Sequence, residues 1–304
     1  MRHPRKGKGV TISTPVRQRS GLALYFAVTF TTTWACWLIA IALGGSAMSS
    51  PTAIPYLLGA FGPTIGAIVV RIHRAIRRQP APARTVRLRP SPRLFWILPM
   101  LALTSATVLA GALLAPVLGG PAVGLAGGQA LIATVGGPVP FIISMLVAGP
   151  LAEEPGWRGT AYPRMRASMG RIQAALLLGV IWAAWHVPLF FIPGTVQAGL
   201  GLISWGGLAF MVSVIPMALL TGYAYERAGV AASIAVHFAG NATLALLTVD
   251  SPITQAFIAA VQVIVAIPLL VLRRDRRADR PVHADPQPRQ AVTGSSPQTS
   301  RTQG

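Results

Sequence analysis

Acidic residues are scarce in this 304-residue chain. Seven Asp and Glu stand against 26 Lys and Arg, leaving a formal charge of +19. Charged residues of both signs make up 11% of the sequence, whereas a soluble globular domain carries about a quarter. So few charges cannot cover a water-exposed surface, and an ordinary soluble domain is excluded. Disorder of the whole chain is excluded by the opposite count, since 53% of residues are hydrophobic. Cysteine is almost absent. The single Cys36 excludes an internal disulfide and any cysteine-built zinc site.

What is present is a series of long apolar runs, and mean hydropathy is +0.58. About 20 apolar residues in a helix cross the hydrocarbon core of a bilayer. Eight runs qualify as candidates: 22–44, 55–71, 94–117, 138–153, 173–192, 203–224, 230–249 and 253–272. The second and fourth are short. All 26 basic residues fall in the two tails or in alternate connections, whereas 45–54, 118–137, 193–202 and 250–252 carry none. Short basic loops stay in the cytoplasm. The expected fold is therefore an all-α polytopic membrane protein of eight transmembrane helices with cytoplasmic N- and C-termini. The organisation expected is a basic tail at 1–20, a membrane domain at 21–272 and a disordered basic tail at 273–304. The first run is too long for a signal-peptide core and reads as an uncleaved anchor.

The charge is then mostly topology. Contact with anionic lipid headgroups follows from it, and no nucleic-acid partner is expected because no recognition motif accompanies the bases. Arg and Ala usage gives the chain a bacterial look, so the bacterial plasma membrane is the expected location.

The few acids are informative by position. Asp275, Asp279 and Asp285 lie in the tail, and Glu226 and Asp250 sit at ends of apolar runs, where water is expected. Glu153 and Glu154 instead close the fourth run as an adjacent pair, amid Pro150, Pro155, Gly149, Gly156 and Gly159. A carboxylate in a membrane is costly unless partnered. Glu154 and Arg158 are four apart, the spacing of a helical ion pair, with the acid in the favourable N-terminal position. The simplest division has Arg158 hold Glu154 and leave Glu153 free. Two histidines, His186 and His237, also lie inside apolar runs. Trp182 shares a helix face with His186, and His237 shares one with Asn241. Singly, these pairs also read as an interfacial cap, a packed core histidine and interhelical glue. Together they bring general-base residue types and oxyanion donors to three separate spans.

Glu153-Glu154-x-x-x-Arg158, Trp182-x-x-x-His186 and His237-x-x-x-Asn241 resemble the three motifs of the CAAX-protease and bacteriocin-processing (CPBP, or Abi) family of intramembrane endopeptidases. The flanks resemble it too, from Pro155-Gly156-Trp157 to Val187-Pro188-Leu189-Phe190-Phe191. The resemblance covers roughly residues 138–249. Trp182 departs from the phenylalanine common at that place and preserves an aromatic shelf. The resemblance implies that Glu153 and His186 orient and deprotonate a water, that His237 and Asn241 stabilise the tetrahedral oxyanion, and that Glu154 and Arg158 support the site.

The resemblance implies no required cofactor, although members are often described as metalloproteases. The alternative is a zinc ion on Glu153, His186 and His237. The implied partner is a peptide or protein substrate, whether lipidated or membrane-embedded. A His-Glu-x-x-His zinc motif, a Gly-x-Ser-Gly motif and an aspartate pair within the spans are all missing, which argues against other intramembrane proteases. Two other classes stay open: a non-proteolytic immunity or scaffold protein that keeps the fold, and a transporter with a Glu/His proton relay. The second lacks the internal repeat common in transporters.

Overall fold

The computed structural model describes residues 21–79 and 95–272. The expected tails at 1–20 and 273–304 lie outside the described residues, as do Arg84, Arg87, Arg89 and Arg93 of the basic connection. Every regular element among the described residues is helical.

The chain opens with α1 (Leu22–Leu43), then α2 (Ala53–Ala60) and α3 (Gly62–Ile76). Helix α4 (Ile97–Leu114) runs into a 3₁₀ turn, and α5 (Ala126–Thr134) follows. A broken track comes next: α6 (Pro138–Leu146), a π segment (Val147–Leu151), α7 (Ala152–Gly156), a second π segment (Trp157–Ala161) and α8 (Tyr162–Met165). Then come α9 (Arg171–Trp185), a 3₁₀ turn (Val187–Phe191), α10 (Val196–Leu200), α11 (Trp205–Ala228), α12 (Val230–Leu246) and α13 (Pro252–Val271).

Five of these, α1, α4, α9, α11 and α13, are long and apolar enough to cross a bilayer, counting the 3₁₀ extensions of α4 and α9. Two bent pairs raise the number to as many as seven if each is one span: α2 with α3, bent by 52°, and α5 with the α6–α8 track, bent by 89°. The protein is thus an all-α, multi-pass integral membrane protein, and each of the eight expected runs holds helix, two of them bent or broken and one of them short. Helix α12 has 17 residues. That is a rise of about 26 Å against a hydrocarbon core of about 30 Å. Its small residues, among them Ala232, Ala235, Ala239 and Ala242, are buried as it packs on α4 and α11, while Ile234, Phe238, Leu244 and Leu246 are half-buried.

Two other expectations change. The fourth run does not end at the Glu pair. It continues to Met165, because two π turns absorb the prolines and glycines within a helical path. Such turns leave backbone groups without the usual partner, and Thr64 of α3 donates to the Ala152 carbonyl at 2.6 Å. The segment before that run, expected to be a loop, holds α5. Gly136 and Gly137 have φ of 95° and 112°, which allows the sharp turn into α6.

Lipid tails are as apolar as leucine, so helices in a bilayer associate through close packing and hydrogen bonds. Both are evident. Helix α9 packs on α11, α11 on α12 and α13, α4 on α12 and α13, and α1 on α3. Gly156 lets α7 approach α3 so closely that a β-carbon there would collide with the backbone of Pro63. Trp37, Trp157 and Trp185 are fully buried. The Trp185 ring lies 4.6 Å from Trp37 and 5.8 Å from Trp157, and its Nε1 donates to Thr33 Oγ1 at 2.9 Å. This aromatic column fixes α1 and α9 beside the broken track.

Candidate active site

Three segments supply the polar centre: the α6–α8 track, the C-terminal end of α9, and the middle of α12. The track is helical through Gly149, Glu153 and Trp157, residues four apart that face one side. Gly149, Glu153, Glu154, Trp157 and Arg158 are all buried.

The expected pairing of Arg158 with Glu154 is present, with Nη1 3.0 Å from Oε1 and both side chains at 0% exposure. Sharing that oxygen is His237, whose Nδ1 lies 2.9 Å away. An ionised carboxylate has no hydrogen to give, so Nδ1 donates and His237 presents Nε2 elsewhere. Glu154 Oε2 and the Nε and Nη2 of Arg158 have no hydrogen-bond partner among the described residues. The guanidinium is instead compensated by an aromatic face, with Cζ 4.4 Å from the Trp182 ring centre.

Glu153 is less free than its sequence suggested. Trp182 Nε1 donates to its Oε2 at 2.7 Å, and Trp157 Nε1 donates to the same atom at 3.3 Å. Its other oxygen, Oε1, turns toward Gly149. A β-carbon built on Gly149 would lie 3.3 Å from Asn241 Nδ2, 3.6 Å from His237 Nε2 and 3.7 Å from Glu153 Oε1. Those three atoms therefore surround one small volume.

His186 lies within the span Arg171–Phe191, as its apolar run implied, at the point where helix gives way to a 3₁₀ turn. Helix α9 ends at Trp185, and Pro188 helps turn the chain into the 3₁₀ segment that follows. His186 stands at that end, half-buried, donating from Nδ1 to the Trp182 carbonyl at 2.8 Å. The Trp182 ring centre is 5.8 Å from His186 and 5.0 Å from His237. Trp182 thus touches both imidazoles, the arginine and Glu153. No group of three His, Cys, Asp or Glu side chains that could hold a metal ion forms among the described residues. The donor set of the zinc alternative, Glu153, His186 and His237, therefore does not gather as a ligand cluster.

Two contributors were missed in the sequence. Trp157 was legible as a residue four after Glu153, and Gly149 as one four before it, both on the face of Glu153. The indole hydrogen bond of Trp182 is also not legible in the sequence, which shows an aromatic shelf but not where its N–H points.

The remaining basic residues of this region are not a solvated loop. Arg164 and Arg171 are 6% and 8% exposed. Glu226, expected in water, accepts from Arg166 Nε at 2.8 Å and Tyr162 at 3.1 Å, with Arg171 Nε 3.5 Å away. This cluster joins α8, α9 and α11 at the end of the track.

Comparison with known proteins finds that residues 135–243 match the family described as type II CAAX prenyl endopeptidase Rce1-like. The chain is also 32% identical over 114 residues to CAAX prenyl protease 2 of Methanococcus maripaludis, covering 36% of this chain and 42% of that relative. The chain thus spans less than half the length of the relative it matches. The matched stretch contains every residue of the polar centre.

Proposed function

We propose, from the match of residues 135–243 to the CAAX-protease family, that this protein is an intramembrane endopeptidase acting on a peptide or protein substrate. The observation that carries the reading is the meeting of Glu153 Oε1, His237 Nε2 and Asn241 Nδ2 beside Gly149.

The reaction follows from the chemistry of these groups. Glu153, with Oε2 held by two indole N–H groups, keeps Oε1 available to accept a proton from water. His186, with Nδ1 committed to a carbonyl, has Nε2 as its remaining basic atom and assists in orienting that water. The water oxygen bonds to the scissile carbonyl carbon, the C=O π electrons move to oxygen, and the water proton passes to Glu153. Asn241 donates to the oxyanion. So does His237 when it carries both protons, its charge matched by Glu154. Collapse restores C=O and breaks the C–N bond, and the proton held by Glu153 goes to the departing amine. Arg158 holds Glu154 in register. The arrangement uses side chains and water.

Sidedness is part of the proposal. From the alternation of basic connections we infer that the C-terminal end of the broken track faces the cytoplasm, with Glu153 lying deeper along the track from that side. A prenylated protein end is one substrate class, by analogy with the name of the matched relative.

The test compares new peptide termini in membranes expressing wild type or Glu153→Ala at matched levels. Termini seen with wild type alone are expected, and they name the substrate class. Their absence, with both proteins folded, would favour a non-proteolytic scaffold.

A further inference from the structure

Gly149 is buried inside a helical track, where glycine weakens the backbone relative to alanine. Its presence therefore calls for a reason. A left-handed backbone is not the reason, because its φ lies outside the glycine-favouring range. Helix approach is not the reason either. At Gly156 a β-carbon would strike the backbone of Pro63, and at Gly111 that of Ile258. At Gly149 the nearest atoms are three polar side-chain atoms, Asn241 Nδ2 at a tight 3.3 Å and the other two at an ordinary 3.6 and 3.7 Å. A methyl group there would displace no backbone and would ask only the Asn241 side chain to give by a few tenths of an ångström. What it would take up is the volume shared by Glu153, His237 and Asn241.

Those three atoms are chemically unlike. A carboxylate oxygen accepts, an amide nitrogen donates, and the imidazole nitrogen does either according to its proton. One carbonyl oxygen cannot satisfy such a set, because it has no hydrogen to give Glu153. A tetrahedral carbon bearing one hydroxyl and one oxyanion can. The hydroxyl, from water, faces Glu153, and the oxyanion faces Asn241 and His237. Both oxygens are bonded to one carbon, so their partners must meet around one small volume.

We propose that Gly149 is a positioning residue whose missing side chain keeps open the seat of the tetrahedral adduct. This rests on the peptidase reading and adds a determinant to it. Any side chain at this position shortens the room for the adduct by pressing on these side chains rather than on helix backbone.

The test is Gly149→Ala beside wild type, Glu153→Ala and Gly199→Ala, all as full chains in membranes. Gly199 is exposed and a β-carbon there meets nothing, so it controls for a simple glycine-to-alanine change. Wild-type termini are expected to persist in Gly199→Ala and to vanish in Gly149→Ala. A synthetic peptide spanning the strongest wild-type cleavage point then separates binding from chemistry. The expectation for Gly149→Ala is kcat lower by roughly 100-fold with KM nearly unchanged, the mark of lost transition-state fit. Its thermal unfolding in detergent should come at the same temperature or higher, since alanine favours helix. A Gly149→Ala enzyme as fast as wild type overturns the inference and leaves the peptidase reading standing. Earlier unfolding overturns it as well, because the glycine would then serve packing. Wild-type membranes with no termini beyond those of Glu153→Ala would remove the peptidase reading, and this inference with it.

Discussion

His237 and Arg158 meet on one atom: His237 Nδ1 lies 2.9 Å, and Arg158 Nη1 3.0 Å, from Oε1 of Glu154. A single carboxylate thus joins α12 to the broken track and sets which nitrogen of His237 faces Gly149. Removing one member of a buried ion pair leaves the other charge uncompensated, at a cost of about 3–5 kcal/mol. Glu154→Ala should therefore unfold markedly earlier in detergent than Glu154→Gln, which keeps shape and an acceptor oxygen. Equal unfolding temperatures for the two variants would contradict this account.

Trp182 offers a cleaner separation of hydrogen bond from ring. Trp182→Phe keeps an aromatic surface under Arg158 and beside both histidines but removes the 2.7 Å donor to Glu153. Loss of a partner that orients a working group typically costs about 10- to 100-fold. The expected outcome is a fall in kcat of that size. Trp157→Phe removes the longer 3.3 Å contact and should cost less. Steady-state kinetics on the mapped peptide would check the order, and a larger effect at Trp157 would reverse the assignment.

His186→Ala should abolish cleavage while leaving the protein folded. The side chain is half-buried at the end of α9, and its Nδ1 bonds to a carbonyl of its own helix. Terminus mapping in membranes gives the readout. Persistence of the wild-type termini would remove His186 from the proposed chemistry.

Chelation tests the zinc alternative. Because Glu153, His186 and His237 do not gather as a ligand group, proteolysis is expected to continue after EDTA treatment. Loss with EDTA and recovery with added zinc would install a metal in the mechanism.

Glu226 provides a contrast, since it ties Arg166, Arg171 and Tyr162 together away from the polar centre. Glu226→Gln should lower stability by about 1–3 kcal/mol, as weakening a charged hydrogen bond does. At temperatures where it is folded, kcat should stay within about twofold of wild type. A selective loss of kcat without loss of stability would show that this cluster reaches the reaction.

Much was legible in the chain alone, and for identifiable reasons. Apolar runs the length of a bilayer dictate membrane helices because an unpaired backbone cannot sit in lipid. Spacings of four dictate shared faces, which is why the sequence alone pairs Glu154 with Arg158 and His237 with Asn241. Three things were settled only by tertiary packing. Helix α12 is a short, 17-residue helix with one face buried, because neighbouring helices cover its small residues as lipid would. The Glu pair became the middle of a track because π turns and Thr64 satisfy a backbone that local sequence marks as broken. Glu153 was turned toward Gly149 by an indole 29 residues away, and His237 was oriented by a carboxylate 83 residues away. Sequence determines which groups must find partners inside the membrane. Which partners they find depends on helices meeting in space, and no local spacing encodes that.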